Sequence, residues 1–386
     1  MTISPNYSSM SLPRHLEPIE ALRPGVVIIG GERLVNFASN DYLGLAHHPA
    51  LIKAGIEAMD RWGAGAGASR LMSGDMEIHH ELERAVAFLK GKEAALIFGS
   101  GYLANTGTIP AICGHGDAIF SDRLNHASII DGIILSGARF FRFRHNDLES
   151  LEALLRENRN KYKNILILVE SLYSMEGDEA MIRELIDTKE RYGAMLMVDE
   201  AHAVGVFGDN GEGLIDSSLA DGVDLIIGTF GKALGGYGAF VAVSKTLKNF
   251  LVNKARTFIF STALPPPVVS SNIAAIKLLA SEKKRREKVL KNSAHMRAGL
   301  KRQLGINPTG RSQIVPVIVG EDKSAVALAD HLRALGFFVK AVRPPTVPEG
   351  SSRIRLSITA DHGPRDIDML LEALADGFSY YGKGIC

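Results

Sequence analysis

A chain of 386 residues with a formal net charge of +1 is long enough for two or three domains around a large buried core. The near-neutral charge argues against general binding to nucleic acid or anionic membranes, and no apolar run is long enough to span a bilayer. Cys113 and Cys386 are too few and too far apart for a disulfide framework, and Met1-Thr2-Ile3-Ser4-Pro5 lacks a signal-peptide start, so a cytoplasmic protein is expected.

Residues 1–46 read as an irregular N-terminal arm with a few short strands. Helical spacing follows at 49–62 and again at 77–90, where Ile78, Leu82, Ala85, Val86 and Leu89 share a face. Between them, Gly63-Ala64-Gly65-Ala66-Gly67-Ala68-Ser69-Arg70 reads as a loop that permits close backbone approach. From residue 94, short apolar runs alternate with helical patterns. Strands are expected at 94–98, 118–121, 165–170, 195–199, 225–228 and 239–242, with helices at 148–156 and 182–192. This alternation implies an α/β domain with a mostly parallel sheet, spanning 47–265. Pro265-Pro266-Pro267 breaks the chain, and 266–386 reads as a smaller C-terminal α/β domain. It opens with a long helical stretch whose basic run at 283–288 reads as a solvated face. A strand–helix–strand–helix pattern follows at 314–318, 324–335, 353–358 and 364–378.

In open parallel sheets, ligands bind beyond the carboxyl ends of the strands. There the expected strands run into Glu170 and Ser171, into Asp199, and into Thr229 with Lys232 just after it. Taken singly, Asp199 is as well read as a helix cap or a loop residue. Lys232 lies in the glycine-rich turn Thr229-Phe230-Gly231-Lys232-Ala233-Leu234-Gly235-Gly236, a candidate Schiff-base former. The carboxylate and imidazole of Asp199-Glu200-Ala201-His202 are what a bound pyridine ring needs. Together they point to pyridoxal 5′-phosphate chemistry. The segment Gly99-Ser100-Gly101-Tyr102-Leu103-Ala104 joins a strand to a helix and has two readings. It can hold one phosphate at the helix start, or it is a dinucleotide fingerprint with Asp122 downstream. The second leaves Lys232, Asp199 and His202 unexplained. His126, in Asn125-His126-Ala127-Ser128, is either an imidazole stacked on a flat cofactor or an ordinary hydrogen-bonded histidine. No metal-ligand spacing and no Gly-x-Ser-x-Gly elbow is present.

These segments, with Ser39-Asn40-Asp41-Tyr42-Leu43-Gly44-Leu45, Ser174-Met175-Glu176-Gly177-Asp178, Phe260-Ser261-Thr262-Ala263-Leu264-Pro265 and Arg353-Ile354-Arg355-Leu356-Ser357, resemble the α-oxoamine synthases over nearly the whole chain. That resemblance implies a pyridoxal-phosphate-dependent transferase of fold type I, like aspartate aminotransferase. It also implies condensation of an amino acid with an acyl thioester on coenzyme A or acyl-carrier protein. By the same resemblance, Lys232 carries the cofactor and moves protons, and Asp199 pairs with the pyridine nitrogen. His126 stacks on the ring and His202 bonds its phenolic oxygen. Gly101 and Tyr102 contact the phosphate through the backbone, Thr229 through its hydroxyl, and Ser174 lines the pocket. Thr262 would reach the phosphate of a neighbouring subunit, which implies a homodimer with active sites at the interface. Arg355, assisted by Asn40, would bind the amino-acid carboxylate. Arg353 is the alternative, with only one of the two arginines expected to face the site.

Overall fold

A computed structural model describes residues 15–381; Met1-Thr2-Ile3-Ser4-Pro5 and Cys386 lie outside them. The chain opens with three antiparallel strands, β1 (Ala21–Arg23), β2 (Val26–Ile29) and β3 (Glu32–Asn36). Gly30 and Gly31, both at positive φ, make the two-residue hairpin between β2 and β3. Helices α1 (Pro49–Trp62) and α2 (Glu77–Leu89) lead to β4 (Ala94–Phe98), α3 (Gly101–Ile112), β5 (Ala118–Asp122), α4 (Ala127–Ser136), β6 (Arg139–Phe143) and α5 (Leu148–Asn158). Next come β7 (Ile165–Glu170), α6 (Ile182–Tyr192), β8 (Met195–Asp199), β9 (Leu225–Thr229) and β10 (Ala239–Val243).

Strands β4 to β10 form one seven-stranded sheet in the order β4-β10-β9-β8-β7-β5-β6. Only β10 runs antiparallel to its neighbours. Apart from β6 and the polar residues at several carboxyl ends, the strands are apolar because both faces are covered. Along β7, Ile165, Ile167 and Val169 enter one core with Leu82, Leu155 and Leu185, while Leu166 and Leu168 enter the other with Ile109, Ile129 and Ile133. Strand β6 carries no such signature. It is an edge strand with Arg139 and Arg142 exposed, and the sequence reading passed over it.

The remaining elements are α7 (Lys245–Lys254), α8 (Arg256–Ile259), α9 (Pro266–Leu279), α10 (Lys283–Leu304), β11 (Ile314–Gly320), α11 (Asp322–Ala334), β12 (Phe337–Phe338), β13 (Ala341–Val342), β14 (Ser352–Ser357) and α12 (Pro364–Tyr381). Strands β11, β14 and β13 form a second sheet packed on α10, α11 and α12, while β12 adds to β3 in parallel. Pro266 and Pro267 begin α9, as proline does at a helix start. Val269, Ile273 and Leu279 of α9 and Val289 of α10 join the larger core, whereas Met296 and Leu300 join the second. The chain therefore passes between cores along α10, not at the prolines. Within the expected arm of residues 1–46, Tyr42, Leu43 and Leu45 are fully buried in the larger core. In the basic run on α10, Lys283, Lys284, Glu287 and Lys288 are exposed as expected, but the two arginines between them are engaged. Arg286 is buried, its guanidinium donating to the Leu279 and Asp209 carbonyls, and Arg285 donates to Leu43 O at 3.0 Å. Among the described residues no helix is long and apolar enough to cross a membrane.

Beneath the carboxyl end of β8 lies a fully buried ion pair. The Lys90 ammonium donates to the Glu200 carboxylate and to the Glu212 and Ile215 carbonyls. Glu200 also accepts from Leu214 N at 2.7 Å and Ile215 N at 3.1 Å. Removing one member of such a pair strands the other charge. Lys90→Met is expected to destabilise the fold by about 3–5 kcal/mol. Urea unfolding checks this, and an unchanged midpoint would contradict it.

Candidate active site

Pairing in the sheet brings the polar strand ends together. Glu170 lies opposite Asp199 where β7 meets β8, and Asp199 lies opposite Ile227 where β8 meets β9. The turn after β9 is tied back by Gly236 N to Phe230 O at 2.8 Å and Gly235 N to Lys232 O at 2.9 Å. Gly235 has a φ of +64°, and a Cβ there would stand 2.3 Å from Ala46 N. No other residue lets this turn seat against residues 45–46.

Seated there, Lys232 Nζ lies 2.7 Å from His202 Nε2, and His202 Nδ1 lies 2.7 Å from the Tyr42 hydroxyl. The Tyr42 hydroxyl donates to Asn40 Oδ1 at 3.0 Å. One proton order satisfies all three contacts. The lysine donates to Nε2, a neutral imidazole donates from Nδ1, and the phenol donates onward. Burial pushes the His202 pKa well below its ordinary value, and the neighbouring Lys232 charge adds to this, so the imidazole is neutral. Burial also lowers the Lys232 amine to about 8, although Asp199 and Glu170 oppose the shift. A buried lysine with that pKa is poised both to form a covalent link and to exchange protons.

Asp199 is buried; its Oδ2 accepts from Asn105 Nδ2 at 2.9 Å and its Oδ1 from Ala201 N at 2.9 Å. Asn105 also donates to Ser128 Oγ at 2.9 Å, which lies 2.8 Å from His126 Nδ1. The carboxylate and the histidine ring are thus joined through α3. Glu170 spans the two flanks of the site. It accepts from His126 N at 2.6 Å and Ser174 N at 3.3 Å, and its pKa is raised by burial and then by Asp199. His126 stands in a crowded setting but presents its ring to open space. Its pKa is lowered by desolvation, while Asp199 pulls the other way.

Arg353 and Arg355 are two residues apart on β14, so they share one face. The expectation that only one could face this side is corrected. Arg353 is buried, pairs with Glu176 at 2.7 Å and donates to Met175 O at 3.1 Å. Arg355 reaches further in, donating to Ser174 O at 2.5 Å, Tyr42 Oη at 3.2 Å and Asn40 Oδ1 at 3.3 Å. The structure therefore brings Lys232, His202, Asp199, His126, Ser174, Asn40 and Arg355 into one neighbourhood. Thr229 is in the lysine turn, donating to Gly238 O at 2.9 Å and accepting from Gly231 N. Gly101 and Tyr102 open α3; the Tyr102 side chain is exposed and donates to Asp131 Oδ2 at 2.6 Å. Thr262 is exposed, bridges to Ser69 and shares no hydrogen bond with the cluster among the described residues.

Sequence reasoning assigned no role to Asn105, Glu170, Tyr42 or Gln313, which donates to His202 O at 2.7 Å. Only Glu170 carried a signal, as a polar residue ending an apolar strand. A cavity of about 610 Å³ opens beside this cluster, lined by His126 and Ser174 but not by Lys232 or Asp199. It provides space for a second substrate next to the reacting groups.

The profile of the aminotransferase class I and II family matches residues 32–374, and the chain belongs to that family. Within it, the chain is an α-oxoamine synthase. An 8-amino-7-oxononanoate synthase of Anaeromyxobacter dehalogenans is 49% identical over 366 residues, covering 94% of this chain and 91% of its own length. Among solved structures, a serine palmitoyltransferase of S. paucimobilis with a bound PLP–myriocin aldimine is similar with a TM-score of 0.91 at 32% identity, covering 95% of this chain and 93% of that one. An 8-amino-7-oxononanoate synthase of Francisella tularensis has a TM-score of 0.77 at 26% identity, covering 90% of this chain and 98% of that one.

The cofactor is pyridoxal 5′-phosphate, and the dinucleotide reading of Gly99–Ala104 falls away. The residues present fit it. Asn105 Oδ1 is buried without a partner beside Asp199. At Gly101 no atom beyond its chain neighbours and the helix's own backbone lies within 4 Å of where a Cβ would stand, leaving room for an anion at the Gly101 and Tyr102 N–H groups, while Leu103 N is capped by Ser100 Oγ.

Proposed function

We propose that this chain condenses L-alanine with a pimeloyl thioester, carried on coenzyme A or acyl-carrier protein, to give 8-amino-7-oxononanoate, carbon dioxide and the free thiol, a step of biotin biosynthesis. The observation that carries this reading is a complete lysine–imidazole–carboxylate site in a chain 49% identical to a synthase of that name. The carbon count agrees. The product's amino-bearing carbon and terminal methyl come from alanine after loss of its carboxyl, which leaves a seven-carbon acyl group ending in a carboxylate.

Bound in this site, pyridoxal 5′-phosphate supplies an electron sink that stabilises negative charge at the amino acid's α-carbon. The Asp199 carboxylate would face the pyridine nitrogen and favour a proton there. His126 would cover one face of the ring, and His202, whose Nδ1 is engaged with Tyr42, would face the phenolic oxygen through Nε2. The N–H groups of Gly101 and Tyr102 would hold the phosphate, the Thr229 hydroxyl would join them by turning its proton away from Gly238 O, and Ser174 would line the pocket wall. Lys232 anchors the cofactor and, once released, moves the α-proton. Arg355 grips the amino-acid carboxylate as a planar fork, with Asn40 beside it. Thr262, exposed in its own chain, completes the phosphate site of a second copy, so the working unit is a homodimer with active sites at its interface. We place the reaction in the cytoplasm.

Product mass spectrometry after mixing the pure protein with L-alanine and pimeloyl-coenzyme A tests this. The expected result is a mass matching 8-amino-7-oxononanoate. Yellow holoprotein that yields no product from either pimeloyl thioester overturns the substrate assignment. A product from glycine and acetyl-coenzyme A instead would identify a 2-amino-3-ketobutyrate ligase.

A further inference from the structure

The cavity beside His126 contains two cations that the reaction described above does not use. Arg123 directly follows β5, and Arg142 lies on β6. These strands pair in parallel, with Ser121 opposite Arg142, and Arg123 N donates to Phe143 O at 3.1 Å. Both arginines therefore spring from neighbouring positions at one corner of the sheet, and both line the cavity. The acids of the same cavity are already engaged. Asp131 accepts the Tyr102 hydroxyl at 2.6 Å, and Glu176 pairs with Arg353 at 2.7 Å. Among the described residues none accepts a hydrogen bond from the Arg123 guanidinium, and Arg142 only covers the Phe140 ring at 4.9 Å. The same cavity is also lined by the apolar side chains of Leu124, Ile130 and Val347.

A cavity lined by the reaction's own residues, walled by apolar side chains and carrying two unpaired forks suits a particular substrate shape. It fits an acyl chain that ends in an anion. We infer that Arg123 and Arg142 form a carboxylate subsite that selects acyl thioesters with a terminal carboxylate over uncharged chains of equal length. This inference rests on the function proposed above and names the residues that set its acyl specificity.

The test compares pimeloyl-coenzyme A with heptanoyl-coenzyme A, which has seven carbons and no terminal carboxylate. The holoenzyme, Arg123→Gln, Arg142→Gln and the double variant are assayed with saturating L-alanine. The wild type is expected to prefer the pimeloyl donor by about tenfold or more in kcat/KM, since a site built to pair a polar group rejects an analogue lacking it. In the double variant that preference should vanish, mainly through a raised KM for the pimeloyl donor. Arg123→Lys, which keeps the charge, should keep part of it. A preference unchanged in the double variant overturns the inference. So do equal losses with both donors, which would assign the arginines to the phosphates of the carrier. A wild type that condenses neither donor with alanine sinks the proposed function itself, a result distinct from either.

Discussion

Lys232→Ala is expected to lower turnover by about 10⁴-fold or more, because it removes the amine proposed above as both the anchor of the cofactor and the base for proton transfer. A second readout does not depend on turnover. Borohydride treatment of the wild-type holoprotein should fix the cofactor covalently and raise the intact mass, whereas the variant should gain nothing. A variant that is still labelled, or that still turns over, would move the anchor elsewhere. The wild-type reaction also has a pH signature. Burial lowers the Lys232 amine to about 8, below its ordinary 10.5. The neutral amine is the attacking form, so covalent capture of added cofactor should speed up as pH rises through about 8 and level off well short of 10.5. The same shift means that the folded chain holds fewer protons than the unfolded chain between those two values. This group therefore adds stability as pH climbs through that window.

Asp199→Asn is expected to cost about 10²- to 10³-fold in turnover while the cofactor still binds and is still fixed by borohydride. Its carboxylate is buried, and each oxygen accepts one hydrogen bond, from Asn105 Nδ2 and from Ala201 N. The amide can satisfy only one of these donors, so a stability loss of about 1–3 kcal/mol accompanies the change. That loss does not remove the fold. What disappears is the full negative charge that the function proposed above assigns to holding the pyridine nitrogen protonated. Near-normal turnover in a variant that binds cofactor would remove this electronic role.

The central sheet could be read in the sequence because its strands are buried on both faces and so appear as short, unbroken apolar runs. Strand β6 was missed because an edge strand can tolerate Arg139 and Arg142 on its exposed positions. The triproline read as a break because proline ends helices more visibly than it starts them. Here it starts α9, whose apolar stripe then joins the larger core. Arg286 illustrates the limit of reading charge alone. Its neighbours are solvated, but the carbonyls of Leu279 and Asp209 converge on its guanidinium only once the chain has folded. In the site, the legible residues were those at strand ends or in a glycine-rich turn, where local pattern and function coincide. Asn105, in the middle of a helix, and Tyr42, in a buried loop, depend on partners 94 and 160 residues away, respectively. No local pattern encodes them.

Those long separations bear on how the protein matures. Arg355 donates to Tyr42, 313 residues earlier, and the tyrosine in turn touches His202 beside Lys232. The Tyr42–His202 side of the cluster is thus fastened by a residue 313 positions further along the chain. A nascent chain on the ribosome can fold its large sheet and expose the lysine turn well before that fastening exists. Such high contact order slows the last step of assembly. Cofactor captured before β14 has joined the fold would meet an unfinished pocket, so the Arg355–Tyr42 contact forms late in assembly.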